Sequence, residues 1–218
     1  MKKYSFGYQT IIMGWIILSG VATSCKRLVE IPGNPPTQIT EAQQFADSAT
    51  AMAAVAGVYS YPSNGGGSFK FNDGYLSLCT GLTSDELTTT STDLNILQLY
   101  DYSMTPFNDY ANSMWQDPYT GLYPVNDILL EVPLSPALSA SFKKEIVAEM
   151  KVVRALYYFY MVNVFGGVPL ITGVDYKVNS NIPRASTDSV YAQIMKDLTE
   201  AQQDLPVAYP SGGGQVSP

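Results

Sequence analysis

The chain has 218 residues, 46% of them hydrophobic, with 19 acidic against 12 basic side chains, no histidine and a net charge of −7. That acidity excludes nucleic-acid binding by phosphate neutralisation and attachment to anionic lipid by charge alone. The missing histidine removes Ser-His-Asp and Cys-His catalysis and the commonest zinc ligand.

The first 24 residues read as a secretory leader: Lys2 and Lys3, an apolar stretch from Ile11 to Val21, then small Ala22, Thr23 and Ser24. The stretch is shorter than the roughly 20 residues needed to span a bilayer. A cysteine placed directly after the small residues predicts a bacterial lipoprotein leader. Cleavage would leave Cys25 first, with lipid on its sulfur and amine, and ten basic residues against 19 acidic. Cys79 then has no internal disulfide partner. In its apolar run, Tyr75 to Thr80, it reads as a buried, inert thiol.

Residues 25–39 hold Pro32, Gly33, Pro35 and Pro36 and read as an extended tether. Thr40-Glu41-Ala42-Gln43 is a capping-box pattern, and the helix it opens is expected to continue through Phe45, Ala49, Met52, Ala56 and Tyr59. Pro62 to Gly67 is a flexible loop. Residues 69–106, rich in Thr, Ser, Asp and Asn, are expected to form a long surface loop with at most a short helix near Leu94 to Leu99. A second helical zone runs from about Asn108 to Leu130, where Pro118 and Pro124 should break or kink it, and Pro133 to Pro136 makes a turn.

The third helix is the clearest. Ile146, Met150, Val153, Tyr157, Tyr160 and Val164 form a helical stripe between Ser141 and Phe165, and Gly166-Gly167 with Pro169 stops it. From Leu156 to Val162 it is apolar on every side, so neighbours are expected to enclose it. Arg154, on this apolar helix, calls for a carboxylate partner. A fourth helix starts near Ser186 with Val190, Ile194, Leu198 and Ala201 and ends before Leu205-Pro206; the Gly-rich tail from Pro210 is a loop. The expected fold is mainly α, with tetratricopeptide-like antiparallel helix pairs and long irregular loops. No dinucleotide, phosphate-loop, zinc-protease or EF-hand pattern is present, so no cofactor or metal is expected.

The segment Arg154-Ala155-Leu156-Tyr157-Tyr158-Phe159-Tyr160-Met161-Val162-Asn163-Val164-Phe165-Gly166-Gly167-Val168-Pro169-Leu170 resembles the signature of the SusD/RagB family, nutrient-binding outer-membrane lipoproteins of Bacteroidetes. Pro183-Arg184-Ala185-Ser186 ahead of Val190-Tyr191 and Ile194 to Leu198, Ala54 to Tyr59, and Trp115 with Tyr119 and Asn126 to Leu129 resemble further family segments in the same order. Gly167 stands where the family pattern has an acid. In the long signature the glycines, the proline and the tyrosines also read as helix stop and core, so it identifies a family rather than a ligand site. Family members are longer, so residues 40–218 look like the N-terminal helical domain of such a protein.

The resemblance implies capture of an oligosaccharide or similar nutrient and its delivery to a TonB-dependent SusC-type outer-membrane transporter, by a lipid-anchored protein facing the cell exterior, without catalysis. Sugar rings stack on aromatic faces while their hydroxyls need amides and carboxylates. The loop from 81 to 110 mixes such groups, and Tyr100 and Tyr102 are the expected platform, with Asn95 and Asp85 as polar partners. Two other classes stay open: a helical-repeat adaptor that binds only protein, and a glycoside hydrolase built on paired carboxylates. Asp85 and Glu86 are sequence neighbours whose side chains diverge in extended backbone, and no other pair stands out by spacing.

Overall fold

The computed structural model describes residues 41–60 and 74–205. The leader, Cys25, the tether, the Thr40 cap, the Pro62 to Gly67 loop and the tail from Pro210 lie outside the described residues. Those described form helices and a single isolated antiparallel bridge, Pro169 to Arg184. The helices are α1 Glu41–Gln44, α2 Ser48–Ser60, α3 Leu76–Thr83, α4 Leu94–Tyr100, α5 Asp109–Leu134, α6 Ala140–Phe165, α7 Tyr176–Asn179 and α8 Thr187–Asp204.

α5 and α6 form the centre. Each has 26 residues; α2 packs on α5, and α8 packs along α6. Two apolar cores lie along this pair. One gathers Cys79, Leu82, Leu99, Leu122, Tyr158, Met161 and Val190. The other gathers Phe45, Ala51, Val55, Val125, Ile128, Val132, Ile146 and Met150. Ser139 and Ser186 cap α6 and α8, their hydroxyls accepting the backbone N–H of Phe142 and Ser189, each at 3.2 Å.

Three expectations about elements are corrected. The first predicted helix is interrupted at 45–47, where Asp47 takes the cap role: its Oδ1 accepts the Thr50 N–H at 2.8 Å. There Phe45 turns into the core and its carbonyl accepts the Ser135 hydroxyl at 2.7 Å. The stretch 69–106 is not one loop, because α3 lies within it. Thr80, Gly81 and Thr83 are weak helix formers; burial of Cys79 and Leu82 holds α3 instead, and the Thr80 and Thr83 hydroxyls bond back to the carbonyls of Leu76 and Cys79 at 2.7 and 2.8 Å. Finally, α5 runs unbroken through Pro118, Pro124 and Pro133. An interior proline costs about 3 kcal/mol or more; Pro118 is buried and Pro124 half-buried in a helix packed between α2 and α6, while Pro133 sits exposed in its last turn.

The Arg154 expectation is met. Its guanidinium makes a bidentate pair with Asp197 of α8, at 2.8 Å from Nε and 2.7 Å from Nη2, and Nη1 donates to Asn126 Oδ1 at 3.2 Å. Asn126 Nδ2 donates to the Ile171 carbonyl at 2.9 Å, while the Tyr158 hydroxyl donates to that carbonyl and accepts the Ile171 N–H. The signature residues thus tie α5, α6, α8 and the segment after α6 together. Enclosure of α6 is one-sided: Tyr157, Tyr158, Met161 and Val162 are buried, whereas Leu156 and Phe159 stay exposed.

Candidate functional site

Residues 84–108 link α3, α4 and the start of α5. α3 closes with the Glu86 N–H bonding back to the Gly81 carbonyl at 3.0 Å, and α4 closes with the Ser103 N–H bonding back to the Gln98 carbonyl at 2.9 Å. Both closures need a left-handed residue at the first position past the cap, normally glycine. This chain puts Asp85 (φ 61°) and Tyr102 (φ 54°) there, the only non-glycine residues with positive φ among those described. Such a conformation costs an L-residue roughly 1–2 kcal/mol. The two strained residues also lie close to each other: the nearby Asp85 carboxylate pushes the Tyr102 phenol up from its ordinary value. Gly81 makes room for the first turn, since a Cβ there would sit 2.7 Å from the Leu87 side chain that folds back over it.

The predicted residues divide accordingly. Asp85 and Tyr102 form one exposed pair, with the Tyr102 ring 60% exposed. Tyr100, within electrostatic reach of Tyr102, is half-buried and packs on the core. Asn95 is part of a clasp between α4 and α5: it accepts the Asp109 N–H at 3.0 Å, and its carbonyl accepts from Asn108 Nδ2 at 2.9 Å. Asn108, in the same loop, is buried and caps α5 through the N–H groups of Tyr110 and Ala111. Between α3 and α5 the chain also exposes Leu94, at the start of α4, and Met104 and Phe107, the last 89% exposed; the sequence offered no sign of this, because nothing in it separates an apolar residue that packs from one that does not.

Other features are structural or lie elsewhere. Trp115 is held under the Arg184 guanidinium at 4.4 Å and edge-on to Phe165. Arg184 in turn donates to the Gly167 carbonyl at 2.8 Å. Burial pushes the Cys79 thiol up to about 11, which keeps it protonated and inert. An open cleft lined by Phe45, Glu131, Leu134 and Ser135 lies at the far end of α5, about 39 Å along the helix from the loop. Among the described residues no cluster of three potential metal-ligating side chains occurs.

A family model described as SusD-like, "Starch-binding associating with outer membrane", matches residues 40–213. The chain belongs to the SusD-like family. SusD-like protein P38 of Formosa agariphila is 24% identical over 209 residues, which are 95% of this chain and 39% of that protein. Among solved structures, a laminarin-binding SusD-like protein matches 74% of this chain and 35% of its own with TM-score 0.63 and 30% identity. A SusD superfamily protein from Parabacteroides distasonis matches 75% and 36% with TM-score 0.59 and 28% identity. The chain therefore spans well under half the length of these SusD-like relatives.

Proposed function

We propose that this SusD-like chain binds an oligosaccharide at the cell surface and delivers it to a TonB-dependent SusC-type transporter in the outer membrane, held there by lipid on Cys25. Residues 1–24 serve as the leader, 25–39 as the tether and 40–218 as the N-terminal helical domain of the binding protein. The observation that carries the reading is the Asp85–Tyr102 pair. Two consecutive helices end on strained residues where glycine would be free of cost, and those residues present a ring and a carboxylate side by side. Strain kept at an exposed place points to use. The Tyr102 face would stack on the C–H face of a sugar ring, Asp85 would accept its hydroxyl protons, and Tyr100 would brace the platform from the core. The laminarin-binding relative and the family description as starch-binding favour a glucan.

Binding without turnover fits this site better than hydrolysis. A glycosidase needs two carboxylates flanking the bond at roughly 5–9.5 Å, whereas the group beside the Asp85 carboxylate is the Tyr102 phenol. The test is affinity electrophoresis in gels containing laminarin, starch or xyloglucan, with product analysis of the same glycans after incubation. The account expects retardation by at least one glucan and no shortened products. Shortened products would make it an enzyme. Co-purification with a transporter barrel and no retardation by any glycan would favour the protein-binding adaptor.

A further inference from the structure

The sequence divides its charge unevenly. Residues 71–142 hold nine acidic side chains and no Lys or Arg, whereas residues 143–205 hold seven of each sign. The acidic excess therefore sits on α3, α4, α5 and the turns that join them. Asp85, Glu86, Asp93, Asp101 and Asp109 fall between the end of α3 and the first residue of α5, and all five are exposed. Glu86 and Asp101 are the chain neighbours of Asp85 and Tyr102. Asp93 and Asp101 flank α4 at its two ends, about 12 Å apart along the helix. Asp109 is held at the Asp93 end by Asn95 Nδ2, at 3.4 Å.

Bases that the fold brings from later in the chain are committed elsewhere. Arg184 lies over the Trp115 ring of α5 at 4.4 Å, and its guanidinium donates to the carbonyls of Gly167 and Phe165 at 2.8 and 3.4 Å. Lys143 donates to the Pro133 carbonyl at the other end of α5, and Lys144, Lys151 and Arg154 pair with acids of α8. A sugar carboxylate or sulfate is recognised by Lys or, as a bidentate fork, by Arg. Residues 71–142 offer neither. An anionic group bound at Tyr102 would instead face several carboxylates at about one Debye length, roughly 10 Å, or less. Neutral sugar hydroxyls both donate and accept, so the Asp85 carboxylate takes them without a countercharge. We infer that the Asp85–Tyr102 site selects by charge: it takes uncharged oligosaccharides and turns away glycans that carry uronate or sulfate groups. This rests on the glycan-binding reading above and adds the class of sugar to it. Glu86, Asp93, Asp101 and Asp109 act through their field and set specificity without touching the ligand.

The test measures affinity of the 218-residue chain for laminarin and soluble starch, each in its neutral form and with its C6 hydroxymethyl groups oxidised to carboxylates. At about 10 mM NaCl, where the Debye length is about 30 Å, the oxidised form of the bound glucan is expected to bind about tenfold or more weakly than the neutral form. At about 1 M NaCl, where that length is about 3 Å, the gap should close to within about threefold, while neutral binding barely changes. Salt separates repulsion from a lost C6 hydroxyl contact, which salt does not restore. The combined variant Glu86→Gln, Asp93→Asn, Asp101→Asn should narrow the low-salt gap by about threefold or more and keep neutral binding and helical circular dichroism, since Asn caps α4 as well as Asp does. The inference is overturned if the oxidised glucan binds as well as the neutral one at low salt, or if the gap survives both high salt and the variant. Retention of oxidised glucan alone overturns it and leaves the glycan-binding reading standing. Retention of neither form sinks that reading, and this inference with it.

Discussion

Arg154 and Glu149 lie on one helix, on different faces of it, and pull stability in opposite directions. Arg154 is 8% and Asp197 0% exposed, and each satisfies the other. Removing one partner leaves a buried charge uncompensated, so Asp197→Ala should cost about 3–5 kcal/mol, a large part of an ordinary domain's stability. Urea denaturation checks this, and Asn126→Ala, which removes a hydrogen bond rather than a charge, should cost clearly less. Glu149 is half-buried, and burial with the nearby Glu145 raises its pKa against a smaller lowering by the Tyr59 hydroxyl. A carboxyl raised on folding contributes stability below its unfolded pKa and loses it as pH rises through the folded one. Glu149→Gln should therefore raise Tm at pH 7 and leave it unchanged near pH 4, as read by thermal melts at the two pH values.

Elements whose signals are local were readable in the sequence; those set by contacts with distant residues were not. α6 and α8 announce themselves through a 3.6-residue apolar period, serine caps and the Gly166 stop, where φ is 69°. α3 has no such period and depends on burial against α4 and α5, so its composition reads as loop. Pro118 and Pro124 predict a break or kink and Pro133 the start of a turn, yet α5 is one helix as far as Leu134. Composition pointed to residues 81–110 as the place for ligand contacts, and the structure sets Asp85 and Tyr102 there just past the ends of α3 and α4. Their meeting at paired left-handed helix ends left no trace in the sequence, since the glycine that signals such a turn is missing from both. Gly167 is a case where structure adds a requirement: a Cβ there would lie 2.3 Å from the Ala185 backbone oxygen. Although the family pattern has an acid at this place, Gly167→Ala should destabilise this chain by about 1–3 kcal/mol, as overpacking does, measured by urea denaturation. It should also loosen the Pro169–Arg184 bridge, read as faster amide exchange at Ala185, whose N–H bonds to the Val168 carbonyl at 3.0 Å.

Across the whole molecule the division of labour is between a helical frame and the loops it holds. The signature residues of α6 build the frame through Arg154, Tyr158 and the Gly166-Gly167 stop, and the clasp of Asn95 and Asn108 ties the first turn of α4 to the start of α5. On that frame the Asp85–Tyr102 pair costs folding energy and presents a ring and a carboxylate together. The most direct measurement is glucan affinity and Tm of Tyr102→Gly beside the unaltered chain. Glycine at this left-handed position relieves the strain while removing the ring. The account predicts a Tm equal to or above that of the unaltered chain together with loss of retardation in glucan gels. Undiminished glucan retardation in Tyr102→Gly would contradict it.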